Sequence, residues 1–80
     1  MKKNINNKNY LNEIKQGIKN ISGKLYNEAE ENFKKAILIK KNDFSAYLNL
    51  SNLYLIINKK EKAIETLSFF LNKINFSQEI

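Results

Sequence analysis

An 80-residue chain without Cys, His or Pro can form no disulfide, thiolate or imidazole metal site, and holds no proline to interrupt a helix. It carries a formal charge of +6 in which all 14 cations are Lys. Its bias toward Asn, Lys and Ile is the kind an A/T-rich coding sequence produces, so the basic excess does not by itself specify an anionic partner. The length allows one domain, near the size at which a single hydrophobic core is marginal.

The chain opens with Lys2 and Lys3, but no apolar stretch follows, so residues 1–9 are not a secretory signal and read as a disordered tail. No run approaches the ~18 apolar residues of a membrane span, and a cytoplasmic protein without membrane partners is expected. Four helices are then predicted from apolar spacing. Leu11, Ile14, Ile18, Ile21 and Leu25 recur at intervals of three and four and mark the first. Ser22-Gly23-Lys24 breaks it, with Gly23 suited to the left-handed conformation past a helix end. The second opens near Asn27, a good capping residue. Glu28, Glu30 and Glu31 in its first turn and Lys40 and Lys41 at its far end suit the helix dipole. Glu30–Lys34 and Glu31–Lys35 stand four apart in the favourable order. Asn42-Asp43 ends this helix and caps the third, which runs through Tyr47, Leu50, Leu53, Tyr54 and Ile57. After a break at Asn58-Lys59-Lys60, the fourth carries Ala63, Leu67, Phe70 and Ile74 on one stripe, widened by Ile64 and Leu71. Connections this short make consecutive helices antiparallel.

The two halves repeat. Ala29 falls over Ala63, Gly17 over Ser51, Phe33 over Leu67, Ile37 over Leu71 and Ile21 over Leu55, at an offset of 34 residues. A closed four-helix bundle has no need of such matches, whereas stacked hairpins bury their apolar faces on their neighbours. Gly17 precedes Ala29 by the same interval as Ser51 precedes Ala63, so each small pair is placed to meet where the two helices of a hairpin cross.

The run from Tyr47 to Tyr54, followed by Ala63, Leu67 and Phe70, resembles a tetratricopeptide repeat. Tyr47 stands where that family has Trp, Leu50-Ser51 where it has Leu-Gly, and Tyr54 where it has Tyr. Gly17-Ile18, Tyr26, Ala29, Phe33 and Ala36 carry the likeness in the first copy, closed by Asn42-Asp43. Lys41 takes the place of the usual Pro, Gln16 and Asn20 replace Leu and Tyr, and Gly23 is displaced by one residue from the usual turn glycine. The resemblance implies an all-α fold of two stacked antiparallel hairpins, a fragment of an α-solenoid. Its repeats would span residues 10–43 and 44–76, with a frayed end over 77–80.

It also implies a concave groove lined by the first helix of each hairpin, formed here by Leu11, Ile14, Ile18, Ile21, Leu48, Asn52, Leu55 and Ile56. An apolar groove suits a peptide or amphipathic helix of a protein partner, as in a scaffold or adaptor. The acidic-tail clamp of some family members is not expected, because Ile14 and Ile18 occupy its Lys and Asn positions. Only Asn75 to Ile80 follow the second hairpin, too few for a shielding helix, so self-association or a stabilising partner at Phe69, Phe70, Ile74 and Phe76 is expected, unless the 80 residues are part of something larger. The alternative reading is a structural protein whose apolar surfaces serve homo-oligomerisation alone. A weaker one is an accessory protein that binds RNA or an anionic surface through Lys34, Lys35, Lys40, Lys41, Lys59, Lys60 and Lys62. Nucleic acid is disfavoured because no Arg is present to read bases and neighbouring Glu offsets the Lys. The single Asp, Asp43, sits at a helix start, and no nucleophile–base pair or Gly-rich phosphate loop appears. The reading is therefore no enzyme and no cofactor.

Overall fold

The computed structural model describes the backbone of residues 2–78 and the side chains of residues 7–73. Four helices follow one another: α1 (Lys2–Ser22), α2 (Tyr26–Ile39), α3 (Phe44–Ile56) and α4 (Lys60–Gln78). α1 packs on α2 and α3 on α4, while α3 rests on α2 and touches α1. The chain is thus two antiparallel hairpins side by side, with Cα extents of 42 × 36 × 12 Å. A thickness of 12 Å corresponds to two layers of helices at ordinary packing distance.

α1 begins at Lys2, so the segment 1–9 expected as a tail is helical from its second residue. Nothing in its sequence breaks a helix, and the Lys40 ammonium ties Asn7 Oδ1 to the end of α2. At the other end α4 runs to Gln78, through half of the segment 77–80 expected to fray, and the last two residues lie outside the described ones.

The connection after each first helix is one motif used twice. Lys24 and Asn58, 34 residues apart, both take positive φ, 61° and 63°. In the first turn Lys24 N–H donates to Ile21 O at 2.9 Å and Leu25 N–H to Asn20 O at 2.8 Å. In the second, Asn58 N–H donates to Leu55 O at 3.1 Å and Lys59 N–H to Tyr54 O at 2.7 Å. Both are Schellman caps, which satisfy the last carbonyls of the helix. Gly23 stands one residue before the position that needs the left-handed conformation, so Lys24 takes it in place of the glycine. Nor does Asn27 cap α2. That helix starts after Leu25 with no side-chain cap, and Asn27 lies inside its first turn. Asp43 does cap α3, accepting from Ser45 N–H at 3.0 Å.

Two contacts set the hairpin spacing. In the second hairpin Ser51 Oγ donates to Ala63 O at 3.1 Å, both residues being buried, so the small pair meets at the crossing. In the first hairpin the Phe33 ring lies directly on Gly17, where a Cβ would come within 2.8 Å of three ring carbons. The residue pairs compensate: Gly17 faces the large Phe33, and Ser51 has the smaller Leu67 at the equivalent place. One cluster of Ala29, Phe33, Leu50, Leu53, Tyr54 and Ala63 joins the two hairpins, and Tyr10, Ala36 and Ala46 form a second at the far end. Ile64 and Leu71, expected to widen the apolar stripe of α4 toward the core, are instead exposed.

These features set two expectations. Lys24→Gly should raise stability by about 1 kcal/mol, because a left-handed Lys is strained and Gly is not. Lys41→Pro should be tolerated or mildly stabilising. Lys41 is the second residue of the turn closed by Asp43 N–H on Lys40 O at 3.4 Å, and Lys40 before it is extended. Chemical denaturation of both variants tests this, with a fall in midpoint counting against the turn geometry. Separately, Gly17→Ala should cost about 1–3 kcal/mol by overpacking against Phe33. In a double-mutant cycle most of that loss should disappear in a Phe33→Leu background.

Candidate partner-binding surfaces

Along α1, Leu11 and Ile18 are seven residues apart and exposed, with Ile14 between them half-buried. Leu48, Asn52 and Leu55 repeat the register on α3, all exposed, and Ile56 follows in its last turn, exposed as well. Ile14 and Ile21 pack onto the core cluster between the hairpins, so they form the floor of this surface. Of the eight residues expected in a groove, six are thus open to solvent and two are covered from below.

The residues expected at a self-association contact divide. Phe70 is buried within its own chain, its ring centroid 5.1 Å from that of Phe44 and 4.8 Å from that of Tyr47. Its stripe position turns it into the hairpin, which removes it from any external contact. Phe69 is exposed and sits over Tyr47 at 6.2 Å. It borders an open cleft of about 400 Å³ with Ile37, Leu50, Tyr54 and Thr66, lined by α2, α3 and α4 and not by α1. The side chains of Ile74 and Phe76 lie outside the described residues.

Tyrosines hold the junction between the hairpins. Tyr54 Oη donates to Glu30 Oε2 at 2.6 Å, and Lys34 Nζ lies 3.2 Å from the same oxygen. Tyr10 Oη accepts from Ala46 N–H at 3.2 Å, giving α3 a second cap one residue beyond that supplied by Asp43. Tyr47 Oη donates to Lys41 O at 3.0 Å and pins the connecting turn. The Tyr10 cap was not anticipated from sequence, although Tyr10 stands one repeat before Phe44. The Tyr54–Glu30 bond was missed too, because residues 24 apart carry no local signal. Three of the seven lysines considered for anion binding are engaged: Lys34 on Glu30, Lys40 over the Tyr10 ring at 5.2 Å and Lys62 over the Tyr54 ring at 5.6 Å.

The junction perturbs its titrating groups. Glu30 is held below the usual glutamate range, foremost by the Tyr54 hydrogen bond, with partial burial opposing and Lys34 assisting. Burial and then the neighbouring Asp43 carboxylate push Tyr10 up to about 12, and burial followed by Glu30 raises Tyr54 further. Among the described residues no cluster of His, Cys, Asp or Glu could hold a metal ion, and no helix is long and apolar enough to cross a membrane.

On the opposite edge of the first hairpin, Asn20 Nδ2 donates to Asn32 Oδ1 at 2.7 Å and Asn32 Nδ2 to Glu13 Oε1 at 2.9 Å. Glu13, Gln16 and Asn20 occupy the places that Tyr47, Leu50 and Tyr54 fill in the second hairpin. The second hairpin buries those three against the first.

Hairpins of equal register, small residues at each crossing and first helices side by side define an array of stacked helical hairpins, the architecture of an α-solenoid. Residues 44–68, which cover α3 and the first half of α4, match the family model of the tetratricopeptide repeat. The chain carries a tetratricopeptide-type repeat there, and its four helices accommodate two such units. No curated protein and no solved structure matches the chain. Repeats of this family generally mediate protein–protein interaction and are typically non-catalytic.

Removing the junction hydroxyl in Tyr54→Phe should cost about 1–2 kcal/mol, since the bond is to a charged, partly buried carboxylate. The pH dependence follows from the same groups. Glu30, with a lowered folded pKa, contributes fully above the ordinary value of 4.5, and this is lost as pH falls through the lowered one. Tyr10, with a raised folded pKa, contributes fully below 10.0, and this is lost as pH rises toward about 12. Thermal melts should therefore show a plateau through neutral pH that declines on both sides. Tyr10→Phe should flatten the alkaline decline, and an unchanged alkaline limb in that variant would contradict the assignment.

Proposed function

We propose that this chain is a non-catalytic protein–protein interaction module that takes a peptide or amphipathic helix along its first helices. The observation that carries the reading is the exposure of large apolar side chains on both first helices, Leu11 and Ile18 on α1 and Leu48 and Leu55 on α3. Large apolar residues left open at helical spacing, on two helices in contact, suit apolar anchors that recur every three to four residues on a partner helix. Asn52 adds a polar group able to fix the register of such a segment. Lys side chains do not interrupt this surface at the named positions, which favours an apolar anchor over an acidic tail.

The test separates binding from folding. Leu11→Ser and Ile18→Ser should leave the melting temperature nearly unchanged, because both side chains are already open to water. Each should weaken a helical partner captured by the wild-type chain by about tenfold, in line with the loss of a buried aliphatic anchor. Phe33→Ala should do the reverse, costing about 3–5 kcal/mol of stability through the cavity it leaves. If Leu11→Ser and Ile18→Ser destabilise the fold like Phe33→Ala, or retain the partner unchanged, the groove reading fails.

A further inference from the structure

Each hairpin has one face that looks toward the next, and internal repetition allows the two to be compared residue by residue. On the first hairpin this face is made by Tyr10, Ile14, Ile21, Glu30 and Ile37, all buried or half-buried at the junction. Their equivalents on the second are Phe44, Leu48, Leu55, Ile64 and Leu71, and every one of them is exposed. The contrast is greatest at the ring: Tyr10 is 2% exposed and Phe44 43%. Leu55, Ile64 and Leu71 are 54%, 55% and 55% exposed. The last face, the outer one of the second hairpin, is therefore an exposed apolar surface in the register of an interface already used once within the chain.

The chemistry of this face limits what can cover it. At the internal junction Tyr10 supplies an oxygen to the N–H of Ala46, and Glu30 supplies a carboxylate to Tyr54. On the last face Phe44 has no hydroxyl and Ile64 no carboxylate, so both polar handles that receive a hairpin like the second are gone. Head-to-tail stacking of copies is also disfavoured. It would press the Glu13–Asn32–Asn20 network and Gln16 against Leu and Ile, stripping water from a carboxylate with no cation to replace it. The five residues are uncharged although the chain carries +6, which suits an uncharged apolar counterpart.

We infer that the last face, formed by Phe44, Leu48, Leu55, Ile64 and Leu71, pairs with the same face of a second copy to give a closed two-fold dimer. Pairing a face with itself is isologous and uses up the apolar surface of both copies, so assembly stops at two. Phe69 and the cleft it borders stay outside this contact. So do Leu11 and Ile18 on the first hairpin; Leu48 and Leu55 are shared with the groove, and Ile64 and Leu71 report on this contact alone.

Sedimentation equilibrium of the full chain should give a monomer–dimer equilibrium with no larger species, the dimer having twice the 9.4 kDa monomer mass. Ile64→Lys and Leu71→Lys should each weaken dimerisation by about tenfold or more, with unchanged helical circular dichroism, since both positions are exposed within the chain. Phe69→Ser should leave the dimer intact. A monomer mass at all concentrations up to about 1 mM overturns the proposal. So does mass that keeps growing with concentration, which would mean head-to-tail stacking, or a dimer that survives both lysine variants and is lost in Phe69→Ser.

Discussion

The approach of α1 to α2 is set by a ring packed directly on a residue with no side chain, Phe33 on Gly17, and this one contact propagates through the molecule. It places α2 where Glu30 can accept from Tyr54, and it holds Ala36 against Tyr10, whose hydroxyl reaches the start of α3. A chain this small has a stability of only about 5–15 kcal/mol, so misplacing one buried ring would remove a large part of it. The second hairpin is fastened at its crossing by another route, a hydroxyl that bonds from Ser51 to Ala63 in place of a ring on a glycine.

Stacking gives the array a direction. The leading edge carries Glu13, Gln16, Asn20 and Asn32, with the three residues of its hydrogen-bond chain satisfied among themselves, and the trailing edge carries Phe44, Leu55, Ile64 and Leu71. In repeat architectures a polar outer face serves as a cap and an apolar one awaits a neighbour. The polar residues at three of the first hairpin's pattern positions thus share one physical cause. Gln16 is exposed and Glu13 and Asn20 only half-buried among the described residues, so the Tyr and Leu of the pattern would be a liability in water there.

Most of the fold was legible in the sequence, because hairpins leave short-range marks. The Asp43 cap is local to the start of α3, while the Ser51–Ala63 pair, the spacing of Ala29 with Phe33 and of Ala63 with Phe70, and the repeat offset report contacts between neighbouring helices. What failed was of two kinds. Single-residue turn chemistry misled, since Gly23 looked like the left-handed residue while the cap geometry selects Lys24. Side-chain direction on α4 misled as well: Phe70 points into its hairpin while Ile64 and Leu71 point away from it. The apolar content of a stripe does not say which edge of it a neighbour covers. The surfaces were harder still. Tyr10 and Tyr54 act across the junction, and whether an apolar residue such as Ile14 or Leu48 is covered depends on whether another hairpin packs on it, which lies outside its local sequence.

Leu48 and Leu55 are where the two proposed surfaces meet. Both are exposed on α3 among the groove residues, and as the equivalents of Ile14 and Ile21 both also belong to the last face. A copy docked on that face would cover the α3 end of the groove and leave the α1 end free, whereas Ile14 is already fixed as floor. Any substitution at Leu48 must therefore mix the two effects, while Ile18 and Leu71, at opposite ends, report on one surface each. The same geometry couples the two events: a segment long enough to reach Leu48 competes with the second copy for its methyl groups, and a shorter one confined to α1 does not. The length of the partner segment, more than its composition, would then decide whether binding and self-association oppose each other.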